Sequence, residues 1–192
     1  PSTVTSMGNA AFGFNDAITS AIINSTVIGI TAFYNSPLLS TITLSNNLLS
    51  IGNSAFITTG LTSITIPNTV TSLGTSSFED TSLSSIVFDS VSQITDIPQE
   101  CFKNSWENTR TVTTLTLPEA VQTFGIQSFQ QAGIQTLSIP NTTTTIGNEA
   151  FVGQRYTTFA GTDPALDWTD AVRRGLDTLT FDATSVLTTI GN

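Results

Sequence analysis

The stretch LTSITIPNTVTSLGTSSFEDTS, running from Leu61 to Ser82, decides the fold, because most of the remaining chain is a variant of it. Its frame is Leu61-x-x-Ile64-x-Ile66-Pro67, then Val70-x-x-Leu73-Gly74, then Ser77-Phe78. Alternation puts Ile64 and Ile66 on one face of an extended strand. Pro67 ends that strand, since it has no N–H to give to a ladder. Val70 and Leu73 open a second apolar stretch, and Gly74 is expected to allow the sharp turn after it. Phe78 is the largest apolar side chain of the unit, so it is expected to plug the interior of a coil.

The unit recurs as MGNAAF (Met7 to Phe12), IGITAF (to Phe33), IGNSAF (to Phe56) and LGTSSF (to Phe78). It continues as IPQECF (to Phe102), FGIQSF (to Phe129) and IGNEAF (to Phe151), and a truncated IGN stands at Ile190 to Asn192. The steps between these phenylalanines run from 21 to 27 residues and cluster at 22 or 23. A fixed period of roughly 20–50 residues marks a solenoid. One short unit cannot bury its own apolar face, so neighbours must stack into a continuous core.

Composition agrees with this reading. Charged residues are only 10% of the 192-residue chain, against a usual share of about a quarter, and serine and threonine take their place. The 39% hydrophobic content, arranged periodically, argues against disorder. A net charge of −9, with Lys103, Arg110, Arg155, Arg173 and Arg174 the full set of basic residues, excludes an electrostatic nucleic-acid footprint. No apolar run approaches the roughly 18 residues of a membrane span, and no signal peptide is visible.

Two insertions interrupt the period, at about 103–111 and 152–175. The longer one carries helix signals: Thr162 or Asp163 as cap, Pro164 in the first turn, Arg173 and Arg174 near the end, and Gly175 as the stop. Ala165, Trp168 and Val172 would share the face that packs on the solenoid. The two tryptophans, Trp106 and Trp168, fall one in each insertion, which makes them possible binding residues. Trp168 also has a simpler role, docking its own helix.

The pattern L-x-x-I-x-I-P-x-x-V-x-x-I-G-x-x-A-F resembles the BspA-like class of leucine-rich repeats. The resemblance covers the chain outside the two insertions. It implies a strand-rich, right-handed leucine-rich-repeat superhelix without enzymatic activity, tied to adhesion or recognition at the surface of bacteria or protists. We expect about eight coils of 22–23 residues with short turns and one inserted helix, as a single solenoid over residues 1–192 whose ends fall mid-repeat. The asparagine of the more general repeat has no regular equivalent. Asn47 holds that position once, and Thr69, Val91, Ala120 and Thr142 hold it elsewhere.

Chemistry-bearing constellations are scarce. The chain has no histidine, which removes Ser-His-Asp and Cys-His nucleophiles and the usual zinc ligand sets. The recurring Ile-Gly-Asn serves a turn and is no phosphate loop. Asp163, Asp167 and Asp170 could form a carboxylate pair for glycoside cleavage, but at a helix start they favour the dipole instead. A calcium site would draw on Asp163 and Asp167, or on the turn acids Asp80, Asp89 and Asp182. Cys101 takes the slot of Ala55 and Ala150 and reads as a small buried residue. No catalytic, cofactor or metal site is therefore assigned. Two N-x-S/T acceptors, at Asn24 and Asn141, follow the last apolar residue of a first strand, or its proline, and mark glycosylation candidates.

Two functions fit this reading. The first is an extracellular structural subunit that stacks end to end into a glycosylated surface fibre or layer, covering coil ends left open at Pro1 and Asn192. Boundaries inside a longer protein would give the same open ends. The second is a cell-surface adhesion or recognition module that binds a protein or glycan through the strand face or the insertions.

Overall fold

The computed structural model describes residues 4–105, 112–153, 178–181 and 187–191. Strands are numbered here in chain order. Each coil opens with a strand: β1 (Ser20–Ile23), β3 (Thr41–Leu44), β5 (Ser63–Ile66), β6 (Ser85–Phe88), β8 (Val112–Leu115), β10 (Ile134–Ile139) and β12 (Thr178–Phe181). A shorter strand follows: β2 (Val27–Ile28), β4 (Ser50–Ile51), β7 (Asp96–Ile97), β9 (Thr123–Phe124), β11 (Thr145–Ile146) and β13 (Thr189–Ile190). In the Leu61 coil this second strand shrinks to a bridge between Ser50 and Ser72.

Every strand pair among the described residues is parallel and joins equivalent positions of neighbouring coils. Ile23 lies beside Leu44, Ile66 beside Phe88 and Ile139 beside Phe181. First strands make one face of the stack and second strands another. Alternation then sorts the side chains as the sequence predicts: Ile64, Ile66 and Ile86 are buried, while Ser63, Thr65 and Ser85 face outward.

The phenylalanines form the interior column. Phe33, Phe56, Phe78, Phe102, Phe129 and Phe151 stack with ring centroids 5.0–5.6 Å apart and planes within 9°. Such offset pairs add to the burial of each ring. Phe12 extends the column at 5.4 Å from Phe33 but is 44% exposed. The continuous column thus makes about five turns, fewer than the eight coils expected, because the first unit is only partly covered and the last is described only in part. No helix occurs among the described residues. The segment 162–175, where a helix was expected, lies outside them, as does most of both insertions.

The corner that carries each phenylalanine is a run of tight turns. In the Leu61 coil Ser77 N–H donates to Gly74 O at 3.2 Å, and Thr81 Oγ1 to Phe78 O at 2.9 Å. With the exception of Gly153, at φ 80°, the left-handed residues of these turns are not glycines. Ser76, Glu100, Gln127 and Glu149 have φ of 54–57°, and Asp80, Asn104 and Gln131 have φ of 50–55°. L-residues adopt this region at a cost of order 1–3 kcal/mol each and keep it only where the surroundings fix them. Here the ladder fixes them: Ser76 N–H donates to Gln99 O at 3.0 Å and Asp80 N–H to Lys103 O at 3.0 Å. Gly74 is required for a different reason than the expected turn. A Cβ there would stand 2.3 Å from Asn53 N, in the backbone of the preceding coil. Glycine is the price of close coil contact, not of a positive φ.

Hydroxyls do part of the work of the missing asparagine ladder. Thr69 Oγ1 donates to Leu48 O at 2.7 Å, and Thr142 Oγ1 to Glu119 O at 2.6 Å. These bonds tie each coil to the one before it, in addition to the aliphatic and aromatic stack.

Candidate functional site

No single concave centre organises the described residues, so function has to be read from surfaces. The first-strand face is uncharged. Its two outward files run Ser20, Thr41, Ser63, Ser85 and Thr136, and beside them Ile22, Thr43, Thr65, Val87 and Ser138. The alternation of β3, β5 and β6 puts hydroxyls at nearly every outward position, which suits neutral, hydrogen-bonding partners.

The phenylalanine corner presents a second, charged surface. Lys103 Nζ lies 2.9 Å from Glu100 Oε1 and 3.5 Å from Glu79 Oε1. The hydrogen bond and charge of Lys103, with help from the Ser76 hydroxyl, hold the Glu100 carboxyl below its ordinary range, and Glu100 in turn raises Lys103. One coil on, Gln127 and Gln130 both donate to Glu149 Oε2. These groups satisfy one another across coils, as neighbours on a turn surface do.

Exposed apolar side chains occur through the first coils. Val4, Phe12, Phe14, Ile22, Ile30 and Leu38 are 44–74% exposed. Phe14 meets Tyr34 edge-on at 5.2 Å and is otherwise open, at 71% exposure. Exposed apolar side chains are normal on a folded protein's surface.

The sequence-derived candidates fall as follows. Asn24 and Asn141 are both exposed and both sit in the turn after a first strand, β1 and β10, well apart along the stack. Their acceptor triplets share an unusual feature. Ser25 and Thr143 take the buried slot that Leu48, Val70, Ile94 and Val121 fill elsewhere. Ser25 Oγ donates to Val27 O at 3.0 Å and Thr143 Oγ1 to Val121 O at 3.1 Å, so neither hydroxyl is left unsatisfied. Trp106 and Trp168 lie outside the described residues, as do Asp163, Asp167, Asp170 and Asp182. Asp80 accepts a bond from Asn104 Nδ2 at 3.0 Å. Among the described residues no three carboxylate or thiol groups converge as a metal site would need. Cys101 is fully buried against Ser77 Oγ at 3.2 Å, and that burial pushes its thiol up to about 12. A thiol so placed is inert at neutral pH. Its neighbour in the same small-residue column, Ser128, is buried with no partner for its hydroxyl.

Comparison with known proteins agrees with the geometry. Residues 1–109 and 103–160 match the BspA type leucine rich repeat region, with six copies. No curated protein matches the chain. Among solved structures it is similar to a leucine-rich repeat protein from Bacteroides ovatus, with a TM-score of 0.62, 21% identity, and coverage of 100% of this chain and 49% of that one. The T. pallidum leucine rich repeat protein gives 0.52 and 18% identity, covering 100% of this chain and 71% of that one. The pneumococcal vaccine antigen PcpA gives 0.50 and 20%, covering 98% and 54%. This chain therefore spans about half the length of the Bacteroides ovatus protein, and at such identities the likeness speaks for the fold. No helix among the described residues is long and apolar enough to cross a membrane. Repeat pattern, parallel stack and family match coincide: the chain belongs to the BspA type leucine-rich repeat family.

Proposed function

We propose that this chain is a non-enzymatic, cell-surface leucine-rich-repeat scaffold that works through protein–protein contact, and that it stacks end to end with other such coils. The observation that carries this reading is the ring column, in which each coil is completed by the ring and the backbone ladder of the coil beside it. A contact of this head-to-tail kind does not close on itself and grows into a filament or layer. A surface location draws support from the family and from a neighbour that is a vaccine antigen. N-linked sugar at Asn24 and Asn141 belongs to the same reading, since both residues are exposed.

Light scattering over a range of concentrations tests the assembly. Growing, elongated particles are expected, and Phe12→Ser combined with Phe14→Ser is expected to abolish them. A chain that stays monomeric throughout defeats the stacking reading. For the sugar, intact mass of secreted protein decides: the bare 20.3 kDa polypeptide would end the idea.

The second reading is adhesion or recognition through the neutral strand face. It is favoured by the files of exposed hydroxyls from Thr41 to Ser138, which offer many hydrogen bonds and no charge to neutralise.

A further inference from the structure

We infer that the strand face contains a subsite for a neutral saccharide, at a cleft between β8 and β10. The cleft has a volume of about 250 Å³. Its floor is apolar, from Leu117, Ile139 and Pro140, all buried. Its rim is polar, from Thr116, Thr136 and Ser138, with Glu119 and Asn141 at one end.

The cleft arises from a break in the ladder. Between β5 and β6 the pairing runs to the last strand residues, Ile66 with Phe88, and between β10 and β12 it runs to Ile139 with Phe181. Between β8 and β10 it stops at Leu137 with Leu115. In two other coils the residue after the strand extends the ladder: Ser45 N–H donates to Ile23 O and Asp89 N–H to Ile66 O, both at 3.0 Å. Pro140 stands at that place here and has no N–H to give to Leu117, and Pro118 stands beside it in the preceding coil. The β8–β10 ladder therefore ends before Ile139 and Leu117, and the cleft opens there.

The chemistry of the walls selects the ligand class. Among the described residues that line it there is no cation, which disfavours anions, and no aromatic ring. Hydroxyls, a carboxamide and a carboxylate together offer donors and acceptors to vicinal hydroxyls, while Leu117 and Ile139 meet C–H edges. A ring that is hydroxylated around its rim and apolar on its face fits both. The volume lies below the range of drug-sized pockets, so one sugar ring is the size of ligand it admits. This site rests on the second reading, adhesion through the strand face; it is independent of the end-to-end contact, and it is open where Asn141 carries no sugar.

The test uses the whole chain made in a bacterial host without N-glycosylation, so that Asn141 stays bare. Saturation-transfer NMR is run with glucose, galactose, mannose and N-acetylglucosamine as individual probes. At least one is expected to receive saturation. Ser138→Phe, which fills the cleft from an exposed position, should weaken it about tenfold or more, while Thr43→Phe, in the same outward file but away from the cleft, should leave it unchanged. Circular dichroism checks that both variants keep the parent spectrum. Silence from all four sugars overturns the proposal, and so does equal binding by Ser138→Phe or equal loss in Thr43→Phe.

Discussion

Truncating one ring of the interior column should cost very different amounts at different coils. Phe78 is fully buried and lies 5.2 Å from both Phe56 and Phe102. Complete burial of a phenylalanine contributes about 1.5–3 kcal/mol. Each offset ring pair adds about 0.5–1.5 kcal/mol. The coils cannot close over the gap, because Phe56 N–H donates to Ser77 O at 2.9 Å and Phe78 N–H to Cys101 O at 2.8 Å, fixing the spacing on both sides. Phe78→Ala should therefore cost about 3–5 kcal/mol, as core phenylalanine truncations do. Phe12 has one stacked neighbour and is 44% exposed, so Phe12→Ala should cost roughly 1–2 kcal/mol. Urea denaturation followed by circular dichroism measures both, with equal slopes showing that the unfolded states are comparable. A cost below about 1 kcal/mol for Phe78→Ala, or equal costs at the two positions, would refute an interior column held at fixed spacing.

Three further outcomes follow from the same geometry. Gly74→Ala should destabilise by about 1–3 kcal/mol through its clash with Asn53, whereas Gly8→Ala, with nothing within 4 Å of the added methyl, should be neutral or stabilising; melting temperatures of the two variants check the contrast. Ser128→Ala removes a buried hydroxyl that has no partner, so it should hold or raise stability by up to about 1 kcal/mol in urea titration, and a clear loss would mean the hydroxyl is bonded. Glu100 has its pKa lowered by Lys103, so its contribution is present above the unfolded carboxylate range and is lost as the pH falls through the folded value. Lys103→Ala should flatten that acid-side loss while changing neutral stability little, because the groups lie near the surface and water screens them.

Much of the fold is legible in the chain because a solenoid writes its geometry once per coil. Ile64 and Ile66 betray a strand by alternation, and Phe78 betrays the interior because it is the large apolar residue that keeps its phase through all insertions. Gly74 shows the limit of that reading. Its recurrence is visible, but sequence alone does not say whether a backbone angle or a close neighbour demands it. The positive φ angles lie instead on Ser76, Glu100 and Gln127, residues with no intrinsic preference for them, because the ladder to the next coil supplies the constraint. Thr69 and Thr142 hide in a similar way. As letters they break the asparagine ladder, yet their hydroxyls reach the carbonyls of the coil before.

The surfaces were legible only in part, for the same reason. Alternation alone places Ile22 and Val87 on the outer face, so an exposed apolar site at the first coil can be read from the repeats. Asn24 and Asn141 are likewise found by their triplets. The cleft could not be found that way. It depends on Pro118 and Pro140, which are far apart in sequence and each unremarkable, since Pro67 ends a strand in the same manner. Their effect appears once the parallel register brings them side by side and removes an N–H from the rung above Leu117. A feature made by two coils exists only in the stack, and one repeat read by itself carries no trace of it.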